Sequence, residues 1–493
     1  MGAQYILAVD QSTQGTKGLL FDEAGNLTAR ADLPHRQIIN EKGWVEHDLE
    51  EILGNTLDVC RQVIQKAGID PGQVIAMGIS NQRETSAAWD RDTGRSVCNA
   101  IVWQCARAAE LVERHKQEAE DVLRKTGIPL SPYFPAAKLS WIMENVSMAG
   151  ALAKEGRLCL GTVDSWLLYS LTEERVHKTD YSNASRTQLF DIERLQWDEE
   201  ICKSFQIPME ALPEVCMSDS CFGHTTLSGL FPCAIPICGV LGDSHGALFG
   251  QDCRRPGRMK ATYGTGSSVM MNIGERPLFS DKGIVTSIAW GMQGRIDYVF
   301  EGNLNYTGAV ISWMKDELGI ISDPEETARM AEEATPGDRT YFVPAFTGLG
   351  APYWDDRATG LFTGITRTTG KKEIVKAGLE CIAYQIADLV ELMGEQLGEK
   401  PEALKVDGGP TGNEYLMRFQ SNITNIRVRI PKLQELSGMG AAYAAGISAG
   451  FYLPEKIFDG TGYREYLPSM ADDKRMQLRD GWKQAVRRAL ANE

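Results

Sequence analysis

Three short stretches of this 493-residue chain combine glycine, hydroxyl and amide residues at the ends of runs that read as β-strands. They are Asp10-Gln11-Ser12-Thr13-Gln14-Gly15-Thr16-Lys17, Tyr263-Gly264-Thr265-Gly266-Ser267-Ser268 and Val406-Asp407-Gly408-Gly409-Pro410-Thr411-Gly412-Asn413. Backbone amides in a tight turn, hydroxyls such as those of Ser12, Thr13 and Thr265, and the single ammonium of Lys17 suit the oxygens of a polyphosphate. Asp10, at a strand end, can hold Mg²⁺, which keeps several waters and takes few carboxylates. The third stretch lets a backbone lie close to an adenine or a ribose. One such loop has the composition of many polar β-turns, whereas three together point to a nucleotide.

Two patterns that would carry other nucleotide chemistry fail on spacing. Residues 364–372, GITRTTGKK, have one residue too many between the glycines and end in Lys rather than Ser or Thr, so they form no Walker A loop. The glycine pairs in GTGSSV and GLGAPYW lack the third glycine of a dinucleotide fingerprint, which argues against a nicotinamide enzyme.

The elements that must position these loops are legible as alternating strands and helices. YILAVD, GLLFD and LTARADL read as three strands joined by polar turns, and VIAMGIS and NAIVWQ as buried strands. LEEILGNTLDVCRQVIQKAG repeats apolar residues at three and four and stops on Gly, as an amphipathic helix does. The order argues for an α/β class. FPCAIPICGVLGDSHGALFG carries a strand into a small-residue turn and a helix start. MKATYGTGSSVMMN then repeats the hairpin theme of the N-terminus, so two related domains facing one ligand are expected, with a boundary near Cys253. DPEETARMAEEATPG reads as a solvated polar helix and loop, and MQLRDGWKQAVRRALAN as a terminal helix docked on its domain.

Composition bounds the partners. Lys+Arg number 51 against 66 Asp+Glu, a formal charge of −15, so nothing favours binding to nucleic acid or to anionic lipid. No apolar run approaches the ~20 residues of a bilayer span, and the first residues lack the basic region of a signal peptide. The 11 cysteines show neither a CxxC pair nor ligand-like histidine spacing, which predicts reduced thiols in the cytoplasm rather than disulfides or zinc.

Asp10-Gln11-Ser12-Thr13, Asn81-Gln82-Arg83-Glu84-Thr85, Ile101-Val102-Trp103-Gln104 and Thr179-Asp180-Tyr181-Ser182-Asn183-Ala184-Ser185-Arg186-Thr187 resemble segments of glycerol kinases. Tyr133-Phe134-Pro135-Ala136-Ala137-Lys138-Leu139-Ser140-Trp141 fits the first signature of the FGGY carbohydrate kinases, and residues 360–380 fit the second except at Gly378. PAFTGLGAPYWD and GWKQAVRRA carry the likeness almost to the C-terminus, and the chain is identified as a member of that family on the glycerol kinase side. The resemblance implies an α/β fold of two duplicated actin-like, hexokinase-like (ribonuclease H-like) ATPase domains around a deep cleft. Residues 1–252 would bind the polyol or sugar and the phosphates, and residues 253–493 the nucleotide.

The activity so implied is ATP- and Mg²⁺-dependent phosphorylation of a hydroxyl of a small polyol or ketose. Arg83, Glu84, Trp103, Tyr133 and Asp243 match the polyol-binding set, with Asp243 as the base and, with Asp10, near the metal. Arg83 and Glu84 supply donors and acceptors for adjacent hydroxyls, and Trp103 an apolar wall. Read singly, Arg83-Glu84 could be a surface ion pair, Trp103 and Tyr133 core aromatics, and Asp243 a helix N-cap. Ser12, Thr13, Gln14, Lys17 and Thr265 would hold phosphates, and Gly308, Gly409 and Asn413 border the nucleotide. A homodimer or homotetramer in the cytoplasm is expected.

Departures from the family pattern bear on the substrate. Ser244 stands where glycerol kinases have Gln and Ser268 where they have Phe, both losses of bulk, while Lys17 replaces an Arg and loses its bidentate fork. They raise the alternative of a kinase for a four- or five-carbon polyol or ketose of erythritol, xylulose or ribulose type. Against xylulose stands the Asn-Gln-Arg-Glu run. A non-catalytic nucleotide-binding regulator is the rival from another class.

Overall fold

In the computed structural model, which describes residues 2–490, the chain builds two large mixed sheets of matching topology. The first contains β1 (Tyr5–Gln11), β2 (Gly15–Phe21), β3 (Leu27–Pro34), β4 (Val74–Asn81), β5 (Gly223–Thr225) and β6 (Ile235–Gly242), in the order β5-β6-β4-β1-β2-β3. The hairpin strands β1, β2 and β3 are antiparallel, whereas β1, β4 and β6 run parallel. Helix α1 (Leu49–Ala67) covers one face. It starts where Asp48 accepts hydrogen bonds from the amides of Glu50 and Glu51, and stops at left-handed Gly68 (φ 65°).

The second sheet contains β7 (Met259–Tyr263), β8 (Ser267–Gly274), β9 (Val285–Met292), β10 (Arg295–Leu304), β11 (Ala403–Asp407), β12 (Arg427–Pro431) and β13 (Tyr463–Tyr466). Its order is β9-β10-β8-β7-β11-β12-β13, with β7, β11 and β12 parallel. The sequence β10-β8-β7-β11-β12 thus repeats β3-β2-β1-β4-β6, which is the duplication of the actin-like ATPase fold. The strand runs are near-continuously apolar because both faces are covered.

The halves interlock. Helix α2 (Asp243–Gly250) follows β6 directly, and α3 (Gly308–Asp316), α4 (Lys371–Leu397) and α5 (Glu414–Thr424) belong to the second half. Helix α6 (Leu436–Ser448) crosses back and lies on β1, β4, β6 and α2. Its approach is backbone to backbone, since a Cβ on Gly78 would stand 2.3 Å from the Ala441 carbonyl oxygen. The terminal helix Asp472–Leu490 docks as expected: Trp482 is fully buried, donates to Asp388 Oδ2 at 2.7 Å and stacks on Tyr384.

Two expectations change in detail. Of NAIVWQ only Ala100–Ile101 is strand, part of a separate five-stranded sheet, because Val102 donates to Val45 and Trp103 turns its indole toward the first loop. No turn separates the strand Ile235–Gly242 from its helix, so Gly242 is the N-cap and Asp243 the first helical residue. Among the described residues no helix is long and apolar enough to cross a membrane.

Candidate active site

The C-terminal ends of β1, β4 and β6 deliver Asp10, Asn81 and Asp243 to one place, and β7 and β11 deliver the second and third loops opposite them. Ligands of open α/β sheets bind at such strand ends. The two loops of the second half pack backbone against backbone. Gly408 (φ 98°) is required there, because a Cβ would lie 2.0 Å from the Tyr263 carbonyl oxygen.

A polar cavity of ≈ 190 Å³ between the halves is lined by Asp10, Lys17, Asp243, Lys260, Asp407 and Glu435, among others. Burial pushes the Asp10 carboxyl up to about 6, against the opposing pull of Lys17. Asp10 Oδ1 is buried with no hydrogen-bond partner among the described residues, which suits a cation ligand. Asp243 Oδ1 accepts from Arg83 Nε at 3.1 Å and from the Ser244 amide at 2.6 Å, which leaves Oδ2 to take a proton. Among the described residues no group of three or more His, Cys, Asp or Glu forms a ready metal cage. Two carboxylates completed by phosphate and water are the arrangement Mg²⁺ commonly takes.

Lys17 is not a free cation. Its Nζ donates to Glu435 Oε2 at 2.7 Å and lies 3.7 Å from Asp10, while Arg30 holds the other Glu435 oxygen at 2.5 Å. Lys260 was not marked by the residue pattern, yet its buried Nζ reaches Thr262 Oγ1 at 2.8 Å on the wall of the same cavity. Burial lowers its pKa, and Asp407 acts against that. Ser12 Oγ donates to the Gly15 carbonyl and closes the first turn, whereas Gln14 is exposed and forms no part of the cavity wall. Thr265 is exposed on the second turn, and its carbonyl accepts from the amides of Thr307 and Ala309.

The other predicted residues surround a buried charge network. Arg83 Nη1 and Nη2 hold Glu301 Oε2 and Oε1 at 3.0 and 3.1 Å, and Nη2 also donates to Ser244 Oγ at 3.1 Å. Arg186 Nε donates to Glu84 Oε1 at 2.7 Å, and its Nη1 lies 3.0 Å from Glu301 Oε2. Burial alone would raise Glu301, but the guanidiniums of Arg186 and Arg83 hold it well below the usual carboxylate range. The pair Arg83-Glu84 is therefore no surface pair. Glu84 adopts φ 61°, a strained conformation that aims its carboxylate at Arg186.

Trp103 and Tyr133 lie side by side with ring centroids 5.4 Å apart, and the Trp103 indole donates to Thr13 Oγ1 at 3.0 Å. The contact joins the aromatic wall to the first loop. Buried Lys138 fixes the Tyr133 segment by donating to the carbonyls of Pro132, Tyr133 and Phe134. Ser268 Oγ donates to Glu301 Oε1 at 3.2 Å, so both serines are tied into the Arg83–Glu301 pair. His245 is wholly buried, with neither ring nitrogen partnered. Burial and then Arg83 depress its pKa well below the ordinary value, which suits a structural ring.

Gly308, Gly409 and Asn413 meet at a second cavity of ≈ 770 Å³. Its outer wall is Pro324, Glu325, Thr327, Arg329 and Glu332, the segment whose polarity reads as plain surface. Glu325, Arg329 and Glu332 are exposed, as that reading expects, while Asn413 Nδ2 donates to Thr327 Oγ1 at 2.9 Å and ties the helix Glu326–Glu332 to the third loop. Leu379 of α4 and Ile311 of α3 form the apolar floor. An amphipathic helix flanking glycine loops would have been the signal for it.

Comparison with known proteins shows the family. Residues 5–250 match the N-terminal domain of the FGGY family of carbohydrate kinases and residues 259–449 its C-terminal domain. The chain is 47% identical to glycerol kinase 1 of Thermotoga maritima and 44% identical to the glycerol kinase of Caldanaerobacter subterraneus, covering 99% of each chain in both cases. Its backbone superposes on the crystal structure of Plasmodium falciparum glycerol kinase with ADP at a TM-score of 0.93 and 34% identity, over 100% of this chain and 99% of that one. A xylulose kinase from Lactobacillus acidophilus shares the fold at a TM-score of 0.87 and 22% identity, over 99% of each chain. With duplicated sheets, three loops around one cleft and matches along both halves, the chain belongs to the FGGY family of carbohydrate kinases.

Proposed function

We propose that the protein transfers the γ-phosphoryl group of ATP to a hydroxyl of a small polyol or ketose, as the glycerol kinases that it resembles do. One observation carries the reading. Asp243 stands at the junction of two environments, lining the polar cavity with Asp10 and Lys260 while accepting from Arg83 of the buried polar network. A hydroxyl placed between them meets a carboxylate on one side and the phosphate loops on the other.

In this mechanism Asp243 Oδ2 accepts the substrate's hydroxyl proton as the oxygen attacks phosphorus. Arg83 orients Asp243 through its Nε. Trp103 and Tyr133 shield the carbon skeleton, and Glu84, fixed by Arg186, accepts from a neighbouring hydroxyl. Lys260 and the amides of the Thr13 and Thr265 turns donate hydrogen bonds to the phosphate oxygens. Phosphoryl transfer depends on such positioning and charge stabilisation more than on covalent chemistry. Asp10 would hold Mg²⁺ directly and Asp243 through water, and the ion would neutralise phosphate charge when bound.

In this reading Gly308, Gly409 and Asn413 border the nucleoside, residues 1–252 carry the polyol and phosphate work and residues 253–493 the nucleotide work, with α6 reaching back to the first sheet. It further places the enzyme in the cytoplasm as a homodimer or homotetramer, which light scattering tests. The small Ser244 and Ser268 favour a four- or five-carbon substrate over glycerol. The reading is tested by Asp243→Asn, for which ATP binding by calorimetry should persist while turnover falls on the order of 10²-fold or more. Turnover near that of the parent enzyme would remove Asp243 from the role of base.

A further inference from the structure

Behind the cleft, the side chains of Gln11, Gln82 and Thr85 are wholly buried, and none has a part in the mechanism above. A buried amide or hydroxyl is costly unless it is hydrogen-bonded, so each is held by its partners. The Gln82 backbone amide donates to the Gln11 carbonyl at 2.6 Å, and its Nε2 donates to Gln11 Oε1 at 3.2 Å. Thr85 Oγ1 donates to Gln82 Oε1 at 2.8 Å and accepts from the Trp103 backbone amide at 3.3 Å. The Trp103 indole then donates to Thr13 Oγ1 at 3.0 Å, on the loop that Gln11 begins. The contacts close a ring through Gln11, Gln82, Thr85, Trp103 and Thr13, and the loop itself completes it.

The ring has one direction. Backbone and indole N–H groups only donate, and a hydroxyl has a single proton. Thr85 gives its proton to Gln82 and therefore accepts from Trp103. Thr13 accepts from the indole and keeps its own proton, which no polar group among the described residues takes. Thr13 is half-buried, on the loop that faces the cleft. The ring also encloses Glu84. The bond from Thr85 to Gln82 spans the turn in which Glu84 stands at φ 61°, and the Thr85 amide donates to the Arg83 carbonyl at 2.8 Å. A strained residue persists where its surroundings over-determine it, and this brace does so.

We propose that Gln82 and Thr85 are positioning residues that couple the two substrates, by tying Glu84 and Trp103 on the polyol side to the Thr13 hydroxyl on the phosphate side. The inference rests on the function proposed above. A polyol bound by Glu84 and packed on Trp103 fixes the ring, so the Thr13 O–H is already aimed when a terminal phosphate oxygen arrives. Thermodynamic linkage makes the effect mutual: nucleotide tightens the polyol by the factor with which polyol tightens nucleotide.

The test is calorimetric titration of the full-length protein with the β,γ-imido analogue of ATP and Mg²⁺, with and without saturating glycerol. In the parent protein glycerol should tighten the analogue by about fivefold or more, and the factor should fall to about one in Thr85→Val, in Trp103→Phe and in Thr13→Val. Thr13→Ser, which keeps the hydroxyl, should retain it. Combining Thr85→Val with Thr13→Val should add nothing to either alone, as expected of residues in one network. Equal affinities with and without glycerol in the parent, or a factor that survives Thr85→Val and Trp103→Phe, would overturn the proposal. Linkage in a protein that forms no phosphorylated product would uphold the ring and contradict the kinase reading.

Discussion

Arg83 and Glu301 meet as a fork on a carboxylate, Nη1 to Oε2 at 3.0 Å and Nη2 to Oε1 at 3.1 Å, with the first residue contributed by the N-terminal half and the second by β10 of the C-terminal half. Both are almost wholly buried. The guanidinium that the family pattern assigns to substrate hydroxyls is thus largely engaged by the protein itself. Its remaining task is to orient Asp243 and Ser244.

Glu301→Gln removes the charge that Arg83 and Arg186 share. Breaking one partner of a buried ionic group leaves uncompensated charge, so the variant should lose about 3–5 kcal/mol of conformational stability. Urea unfolding of the two proteins checks this, and a loss under about 1 kcal/mol would mean the network is not needed for folding.

Lys260→Met should lower kcat by about 10²-fold with little change in the KM for ATP, because a preorganised cation matters most where charge develops in the transition state. Initial rates at saturating ATP decide. A rise in KM alone would make Lys260 a ground-state phosphate contact.

Ser268→Phe fills the space beside Glu301. The ratio of kcat/KM for glycerol to that for a four- or five-carbon polyol should rise by about 10- to 100-fold, the range that one lost or gained apolar contact gives. An unchanged ratio would show that Ser268 does not set the substrate length.

A buried pair of imidazoles, His35 and His47, lies edge to face at 4.6 Å beneath the first loop, where the His35 amide donates to the Gln14 carbonyl. Burial, and then His35, pushes His47 down to about 4. The folded value is depressed, so the stability that this neutral ring contributes is fully present above about pH 6.5 and is lost as pH falls toward 4. That amounts to roughly 3 kcal/mol. Denaturation midpoints measured across this window should fall less steeply for His47→Gln than for the parent protein. Parallel slopes would show that His47 is protonated in the fold.

The glycine and hydroxyl loops and helix α1 with its Gly68 end are legible in the residues because each is a local pattern, whereas the direct passage from strand to helix at Gly242-Asp243 reads as a turn. The duplication shows in MKATYGTGSS after YILAVDQSTQG. Glu301 was not legible. It sits mid-strand in an ordinary β run, and its meaning comes from Arg83 and Arg186, 218 and 115 residues away in sequence. The same holds for Glu435, which meets Lys17 across most of the chain, and for Thr327, whose polar helix becomes a cavity wall only through Asn413. Tertiary pairing of charged groups leaves no periodicity to read.

The measurement that bears most directly on the whole account is product analysis with ATP and Mg²⁺ over three- to five-carbon polyols and ketoses, by phosphorus NMR and mass spectrometry. The predicted result is one ADP per phosphorylated polyol or ketose, with a four- or five-carbon substrate preferred to glycerol and the product signal all but gone in Asp243→Asn. Absence of any phosphorylated product across the series, with ATP still bound, would contradict the account and leave a nucleotide-binding protein without transferase activity.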